Sequence, residues 1–326
     1  MRQFRRPAVT VPTLTSAGPG GGRRDENVSE YEEKGQTPAT FPSHWTKPDV
    51  RGALYAMHGR VCAYCGADVC EAGNDVEHFR PKSNVQGNQS HGGYWWLAYE
   101  FRNYLLSCVI CNQRYKVDRF PMRQGGARVT YGDRQNLPVE PRVLLDPACD
   151  VIEDFVTVDW SKPAGKLEPK AGLTAAESTR VAQVLEFFRV NRRAAQRRKR
   201  AAIQRRVINR IAENKADEVR YLAVRYRPHS LVAKVILEAK APQSLPTPRE
   251  ELEWLLKDLS SDLILKLEDL EKSANPTQLD ENEAKELFWA LAVLWKDPPA
   301  ATPQFVEDFL DNRGLKEGVE SYLAKL

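Results

Sequence analysis

The spacing of apolar and polar positions changes along the chain. Residues 155–170 alternate around a Pro-Ala-Gly turn, which predicts a β-hairpin. Residues 248–272 and 280–296 are predicted to be helical, and Pro-containing segments near 242–248 and 298–303 break the helical pattern. We therefore predict an α+β protein whose C-terminal part is mostly α-helical.

Two further helices have recognisable ends. The segment KPDVRGALYAMHG predicts a helix that stops at Gly59, because glycine commonly ends a helix. Thr174-Ala175-Ala176-Glu177 is a capping box and predicts the start of a long helix that runs past Arg210. Between these helices, YWWLAYEFRNYLLS is aromatic and apolar, as expected for a buried helix and strand beside a small site.

Composition divides the remainder of the chain. Residues 1–47, with GPGGGRR at 18–24, contain too little apolar surface to offset the entropy of ordering, so we expect a flexible basic arm. Leu144-Leu145-Asp146-Pro147 marks a boundary. We predict a small domain at 48–147 that contains the cysteine pairs, followed by a short hairpin plus a helical domain at 148–326.

The overall composition is that of a soluble protein, with 42% apolar and 28% charged residues. No apolar run approaches the roughly 18–20 residues that span a bilayer, and the basic N-terminus lacks the apolar core of a signal peptide. We therefore expect a cytoplasmic protein with no membrane partner.

The net charge of +4 is unevenly distributed. From Ala241 to Leu326 there are 9 Lys and Arg against 18 Asp and Glu, so the first 240 residues carry +13. A basic part joined to an acidic part indicates a polyanionic partner for one and a different surface on the other.

Four of the six cysteines occur in two Cys-x-x-Cys pairs. In a reducing compartment such pairs bind metal more often than they form disulfides. Four thiolates are the natural ligands of tetrahedral Zn²⁺, and a closed site of this kind supports the fold. Cys70 and Cys149 are expected in the core, although Cys70 is near enough to compete as a ligand. The predicted zinc ligands are Cys62, Cys65, Cys108 and Cys111.

Glu77 and His78 lie between these pairs and suggest chemistry beyond a structural zinc. Glu77 offers a hard oxygen ligand for Mg²⁺ or Mn²⁺, Asn112 offers a second one, and His78 offers a general base near neutral pH. Together with positive charge, these groups meet the needs of phosphodiester hydrolysis. The alternative for His78 is an ordinary structural histidine. The predicted phosphate-binding residues are Arg80, Lys82 and Lys116.

The pattern CAYCG at 62–66, VEHFRPKS at 76–83 and FRNYLLSCVICNQRYK at 101–116 resembles the four-cysteine branch of the HNH (ββα-metal) nucleases. The resemblance implies a ββα-metal nuclease domain at 48–147, with His78 as general base and Asn112 as the last metal ligand. It also implies that Asn103 orients the base. Glu77 departs from the commoner Asp, and Asn112 replaces the histidine that ends the family name.

Together with LLDP at 144–147, these motifs are similar to the HNH nuclease subunit of Septu anti-phage systems, including retron-associated members. The resemblance implies a partner ATPase of the ABC/SMC type. This sequence has no Gly-x-x-x-x-Gly-Lys-Ser/Thr loop, so ATP hydrolysis would need another chain.

The segment RVNRRAAQRRKR at 189–200 contains seven Arg and Lys in twelve residues. Such density suits sequence-independent contact with phosphates, and the alternative is a solvated face paired with acidic neighbours. Beside a nuclease site we favour DNA contact. The predicted DNA-binding residues here are Arg192, Arg193, Arg197 and Arg198.

These features predict a metal-dependent DNA endonuclease with structural Zn²⁺ and catalytic Mg²⁺ or Mn²⁺, which acts in anti-phage defence under a partner ATPase. One alternative is a non-catalytic zinc protein that binds nucleic acid. Another is an HNH ribonuclease, because no residue by itself separates DNA from RNA as the substrate.

Overall fold

The computed structural model describes residues 2–15, 23–34, 37–38, 40–162, 164–273 and 277–326. The glycine run at 18–22, the centre of the expected flexible arm, lies outside the described residues. Helices and short two-stranded sheets make up the fold, so the predicted α+β class is confirmed. Within the described ranges, no helix combines the length and the apolar character needed to cross a membrane.

The part of the chain that the structure describes contains twelve α-helices. They are α1 (Pro12–Thr15), α2 (Arg23–Lys34), α3 (Pro48–His58), α4 (Val69–Ala72), α5 (Ile152–Phe155), α6 (Ala175–Phe187), α7 (Ala194–Ala212), α8 (Ser230–Lys240), α9 (Pro248–Lys272), α10 (Gln278–Lys296), α11 (Pro303–Asp311) and α12 (Lys316–Leu323).

Among the described residues, four short strands form two sheets of two strands each, β1 with β2 and β3 with β4. They are β1 (Asn74–His78), β2 (Tyr104–Cys108), β3 (Val156–Val158) and β4 (Leu167–Pro169). A π-helix, Ile110–Lys116, follows β2. Strands β3 and β4 are antiparallel, with Thr157 opposite Glu168, which confirms the predicted hairpin.

The chain folds into two compact units, and each is assembled from separate stretches. Unit 1 consists of Met1–Phe4, Arg60–Tyr94 and Leu106–Thr247. Unit 2 consists of Arg5–Gly59, Trp95–Leu105 and Pro248–Leu326. The predicted boundaries at residues 47 and 147 do not coincide with these stretches and stay a prediction.

In unit 2, helices α3 and α10 pack closely because Gly52 has no side chain. A Cβ at this position would lie 2.4 Å from Cβ of Trp289 and 2.5 Å from the carbonyl oxygen of Glu286. The predicted stop of α3 at Gly59 is confirmed, with φ at 59°. Trp289 and Trp295 are buried, as expected for aromatic residues of a helical core.

In unit 1, the predicted capping box is present. The hydroxyl of Thr174 accepts a hydrogen bond from the backbone N–H of Glu177, and the Glu177 side chain accepts one from the N–H of Thr174. The prediction of one long helix past Arg210 is wrong. Helix α6 ends at Phe187, and α7 begins at Ala194.

The break between α6 and α7 has a packing reason. Phe188 and Val190 within it are fully buried, and the ring of Phe188 stacks on that of Tyr64 with ring centres 4.2 Å apart. Arg189 between them takes a left-handed conformation with φ at 47°. This turn directs both apolar neighbours inward, which a continuous helix would not do.

Helix α7 holds the hairpin loop through buried polar contacts. Arg200 is 1% exposed and donates to the carbonyl oxygens of Gly165 (2.7 Å) and Val190 (2.9 Å). The side-chain oxygen of Gln204 accepts a bond from the N–H of Gly165 (3.0 Å). Part of the basic segment is therefore structural.

We predict that Gly165→Ala destabilises unit 1. Gly165 has φ at 63°, and a Cβ there would lie 2.3 Å from the carbonyl oxygen of Arg197. Gly172→Ala is the matched control, because Gly172 has φ at 88° with no atom within 4 Å of its Cβ position. Both changes add backbone strain of about 1–2 kcal/mol. The clash should add roughly 1–3 kcal/mol at Gly165 alone. Urea denaturation measures the free energy of unfolding of both variants. Equal losses of stability in the two would contradict the close packing of this loop.

Candidate metal centre and active site

The four paired cysteines form one buried cluster in unit 1. Cys62 and Cys65 lie in the loop before α4, Cys108 ends β2, and Cys111 lies in the π-helix. All four are buried, and their sulfur atoms lie within 4.8 Å of one another. The Sγ atoms of Cys65 and Cys108 are 3.9 Å apart. That is close to the roughly 3.8 Å expected for a tetrahedron with Zn–S bonds of about 2.3 Å. The donor set therefore fits the predicted zinc.

The other two cysteines lie elsewhere. Cys70 and Cys149 are exposed, so the expectation that they belong to the core is wrong. Cys70 has a local reason for its position. Its backbone N–H donates to the Asp68 side chain at the start of α4, and this places residue 70 on the surface of a one-turn helix.

Arg193 contacts the cysteine cluster directly. Its guanidinium donates to the Sγ atoms of Cys111 (3.4 Å) and Cys108 (3.9 Å). Burial lowers the pKa of Arg193, but the thiolates of Cys65, Cys111 and Cys108 outweigh this effect and hold the pKa above its ordinary value. The guanidinium of Arg193 is thus placed to neutralise thiolate charge, and DNA contact by this half-buried residue stays a prediction.

Glu77 and His78 end strand β1, and Glu77 is held from both cysteine-bearing segments. Its Oε1 accepts a hydrogen bond from the hydroxyl of Tyr64 (3.2 Å), between Cys62 and Cys65. The same oxygen pairs with the ammonium of Lys116 (3.1 Å), at the end of the π-helix. The cysteine cluster thus positions the Glu77-His78 pair.

Burial raises the pKa of Glu77, and Lys116 and Tyr64 oppose this shift. Burial and the neighbouring Glu77 raise the pKa of Tyr64 well above its ordinary value, so its hydroxyl stays a donor. The sequence predictions did not include Tyr64. Its position between two metal-binding cysteines was the signal.

Lys116 is fully buried between strand and helix. Besides pairing with Glu77, its ammonium donates to the carbonyl oxygen of His78 (3.3 Å). No surface of this side chain remains for a phosphate. We therefore reassign Lys116 from phosphate binding to holding Glu77 and the end of β1 in place.

The two predicted asparagines belong to different units. Asn112 is half-buried in the π-helix of unit 1, and its carbonyl oxygen accepts a bond from the N–H of Val117 (2.7 Å). Asn103 is buried in unit 2, where its amide donates to the carbonyl oxygen of Leu97 (3.3 Å). The metal role of Asn112 and the orienting role of Asn103 stay predictions.

Arg80 and Lys82 follow β1 and are both half-buried. The guanidinium of Arg80 pairs with the buried carboxylate of Glu140 (2.7 Å) and donates to the carbonyl oxygen of Leu137 (3.1 Å). Burial lowers the pKa of Lys82, while Asp118 and Glu77 act to raise it. Arg80 thus supports the fold, and phosphate binding by these two residues stays a prediction.

The remaining basic residues of 189–200 differ in their surroundings. Arg192 is exposed and pairs with Glu186 at 2.9 Å, whereas Arg197 and Arg198 are exposed on α7. DNA contact by these three residues stays a prediction. The structure therefore divides a segment that the sequence presents as uniform.

The buried four-cysteine cluster and the Glu77-His78 pair at the end of β1 agree with the resemblance to the four-cysteine HNH nucleases. The chain is 30% identical over 145 residues to the Septu protein PtuB of Bacillus mycoides (strain KBAB4). This aligned region covers 43% of this chain and 48% of that protein. The chain is also 30% identical over 94 residues to the "Retron Vc95 putative HNH endonuclease" of Vibrio cholerae serotype O1 biovar El Tor. That aligned region covers 27% of this chain and 42% of the relative.

The matched part spans less than half the length of either relative. No protein-family model matches the chain. The two similarities confirm the predicted resemblance to HNH endonucleases of the Septu and retron type.

We predict that Cys108→Ser removes zinc and lowers the melting temperature, because a closed thiolate site contributes folding free energy. Cys70→Ser is the matched control, since Cys70 is exposed and outside the cluster. Zinc content measured by mass spectrometry, together with thermal denaturation, checks both. A zinc-free Cys108→Ser protein with an unchanged melting curve would contradict a structural role for the cluster.

A second prediction concerns the buried pair of Glu77 and Lys116. Lys116→Met leaves the Glu77 carboxylate without its cation, and breaking a buried pair in this way costs about 3–5 kcal/mol. The double variant Glu77→Gln/Lys116→Met should recover most of that loss. Denaturant unfolding of the zinc-loaded proteins gives the coupling free energy. Additive effects of the two single changes would contradict the pairing.

The loss in Lys116→Met should also depend on pH. Lys116 lowers the pKa of Glu77, so its removal raises that pKa further. A raised carboxyl pKa contributes stability at low pH and loses it as pH rises through the folded value. The loss of unfolding free energy in Lys116→Met relative to wild type should therefore become smaller as the pH falls from 7 to about 5. A deficit that is constant over this range would place the cost elsewhere.

Proposed function

We propose that the chain is a metal-dependent HNH endonuclease that hydrolyses DNA phosphodiester bonds. The observation that carries the proposal is that two side chains hold the carboxylate of Glu77 in place. Tyr64 from one cysteine pair and Lys116 from the helix of the other both contact its Oε1. The cluster thereby gives the Glu77-His78 pair a rigid position, which positioned acid–base chemistry requires.

His78 is the proposed general base, which takes a proton from the attacking water. Lys116 donates to the carbonyl oxygen of His78 and so fixes the backbone of the base. Glu77 and Asn112 supply the oxygen ligands for Mg²⁺ or Mn²⁺. When bound, such an ion would stabilise the departing 3′ oxygen. Asn103 is proposed to orient the base.

The proposed setting is anti-phage defence in the cytoplasm. One relative is a Septu protein and the other is named for a retron, which supports this setting. Control by a partner ATPase of the ABC/SMC type follows from the same resemblance. The acidic residues of 241–326 are the proposed region for binding such a partner.

A non-catalytic zinc protein that binds nucleic acid is the second candidate. The burial of Glu77 and its pairing with Lys116 favour it, since a carboxylate held by an ammonium is less available to a cation. The two candidates differ in whether any activity depends on His78.

The test is cleavage of supercoiled plasmid by the wild type and by His78→Ala, each with Mg²⁺, Mn²⁺ or EDTA. Loss of a general base typically lowers the rate by about 10²–10⁴-fold. We expect divalent-dependent cleavage by the zinc-loaded wild type and a loss of this size in the variant. His91→Ala is the matched control, because His91 is half-buried and bonds the carbonyl oxygen of Val129. A structured RNA substrate assayed in parallel tests the ribonuclease alternative.

Equal cleavage by wild type and His78→Ala would show that His78 is not the base. Absence of cleavage by the zinc-loaded wild type, alone and with an ABC-type ATPase added, would favour the non-catalytic candidate.

A further inference from the structure

Unit 1 contains an open cleft of about 810 Å³ that none of the proposed catalytic residues lines. Arg114 and Tyr115 line it from the end of the π-helix, and Arg119 from the turn that follows. Phe187 and Arg189, at the break between α6 and α7, form another part of its wall. Three arginines and two aromatic rings therefore surround one space.

The two acidic residues of the cleft wall already have cationic neighbours. Glu186 pairs with Arg192 at 2.9 Å. Asp118 raises the pKa of Lys82, which shows that it lies in the field of that ammonium. Among the described residues, neither carboxylate forms an ion pair with an arginine of the cleft wall.

Arg119 and Arg189 form no ion pair with an acidic side chain in the described part of the chain. Burial, and then the neighbouring charge of Arg189, lower the pKa of Arg119. Two guanidiniums that repel each other beside a cleft favour an anion between or near them. Guanidinium groups suit phosphate in particular, because their N–H donors match its oxygens in a planar fork.

Aromatic rings hold these guanidiniums in place. The Arg119 guanidinium lies 4.4 Å from the ring centre of Phe187, and that of Arg189 lies 6.0 Å from the ring centre of Tyr115. Cation–π contacts of this kind orient a guanidinium without neutralising its charge. Basic groups interleaved with aromatic rings are typical of grooves that follow a nucleic-acid backbone.

The backbone is unusual at both sides of the cleft. Val117, which follows the π-helix, has φ at 45°, and Arg189 has φ at 47°. A β-branched residue rarely adopts such a conformation, so Val117 is strained. Its N–H closes onto the carbonyl oxygen of Asn112 (2.7 Å). The helix that carries the candidate metal ligand therefore also ends at the cleft.

We propose that this arginine–aromatic cleft binds the phosphodiester backbone of a nucleic-acid strand, with Arg119 and Arg189 as phosphate contacts. The proposal rests on the proposed nuclease function and adds a substrate-binding surface to it. A free nucleotide offers the same phosphate chemistry. The strand is favoured because the cleft is open and shares its helix with the residue proposed to bind the metal at the scissile bond.

The experiment measures binding of fluorescein-labelled DNA by the full-length, zinc-loaded protein without added Mg²⁺. Fluorescence anisotropy gives Kd for single-stranded and duplex probes of about 20 nucleotides, at roughly 50 to 200 mM NaCl. Each lost phosphate contact reduces the slope of log K against log salt by about 0.9 for duplex and 0.7 for single strands. Arg119→Gln/Arg189→Gln should therefore reduce the slope by roughly 1.8 or 1.4.

The matched control is Arg134→Gln/Arg249→Gln. These arginines also stack on aromatic rings, at 4.3 Å from the ring centre of Tyr131 and 4.4 Å from that of Phe305, and both lie outside the cleft. The control removes the same charge, so it reports the general electrostatic effect. We expect it to leave the slope within experimental error of the wild type.

Equal slopes for the cleft variant and the control would overturn the assignment. A competition experiment with dAMP separates a nucleic-acid strand from a free nucleotide as the source of phosphate. If dAMP displaces the labelled DNA at the same phosphate concentration as unlabelled DNA does, the strand assignment is also overturned. Plasmid cleavage is scored separately. If the wild type cleaves plasmid and the cleft variant binds DNA as the wild type does, the cleft proposal fails while the nuclease proposal stands. Reduced binding in the cleft variant of a chain that never cleaves supports the cleft and rejects the nuclease.

Discussion

The contact of four buried sulfur atoms is the constraint on which the site depends. Cys65 and Cys108 are 43 residues apart in sequence, yet their sulfur atoms are 3.9 Å apart. Strands of three to five residues cannot supply such closure alone, because very short two-stranded sheets are marginal in water. A tetrahedral metal can, since its ligand bonds are also folding free energy.

Buried charge is the second organising feature of unit 1. The ammonium of Lys116 pairs with Glu77, and the guanidinium of Arg193 contacts the cysteine thiolates. The guanidinium of Arg200 donates hydrogen bonds to two carbonyl oxygens. Each cation is positioned where a negative charge or partial charge would otherwise be buried alone. Such pairs add little net stability because desolvation offsets their attraction, but removal of one partner is costly, so they define a specific arrangement.

This use of cations changes how the basic surface is understood. Three residues predicted to contact DNA or phosphate, Lys116, Arg193 and Arg80, have structural partners inside unit 1. Arg119 and Arg189, which are not among the named DNA-binding residues, form no ion pair with an acidic side chain in the described ranges, and both line a cleft. Charge density along a sequence locates a basic region, whereas the partners of each cation decide which ones remain available to a polyanion.

The sequence by itself determined the local features. Cysteine spacing predicted the cluster, because the two ligands of each pair are three residues apart and need only one turn to converge. The capping box at Thr174 and the glycine stop at Gly59 were likewise local. Tertiary structure alone decided the break at Arg189 and the partner of Glu77. These depend on burial against distant segments, and the free energy of burying a ring or a charge is set by neighbours that periodicity does not reveal.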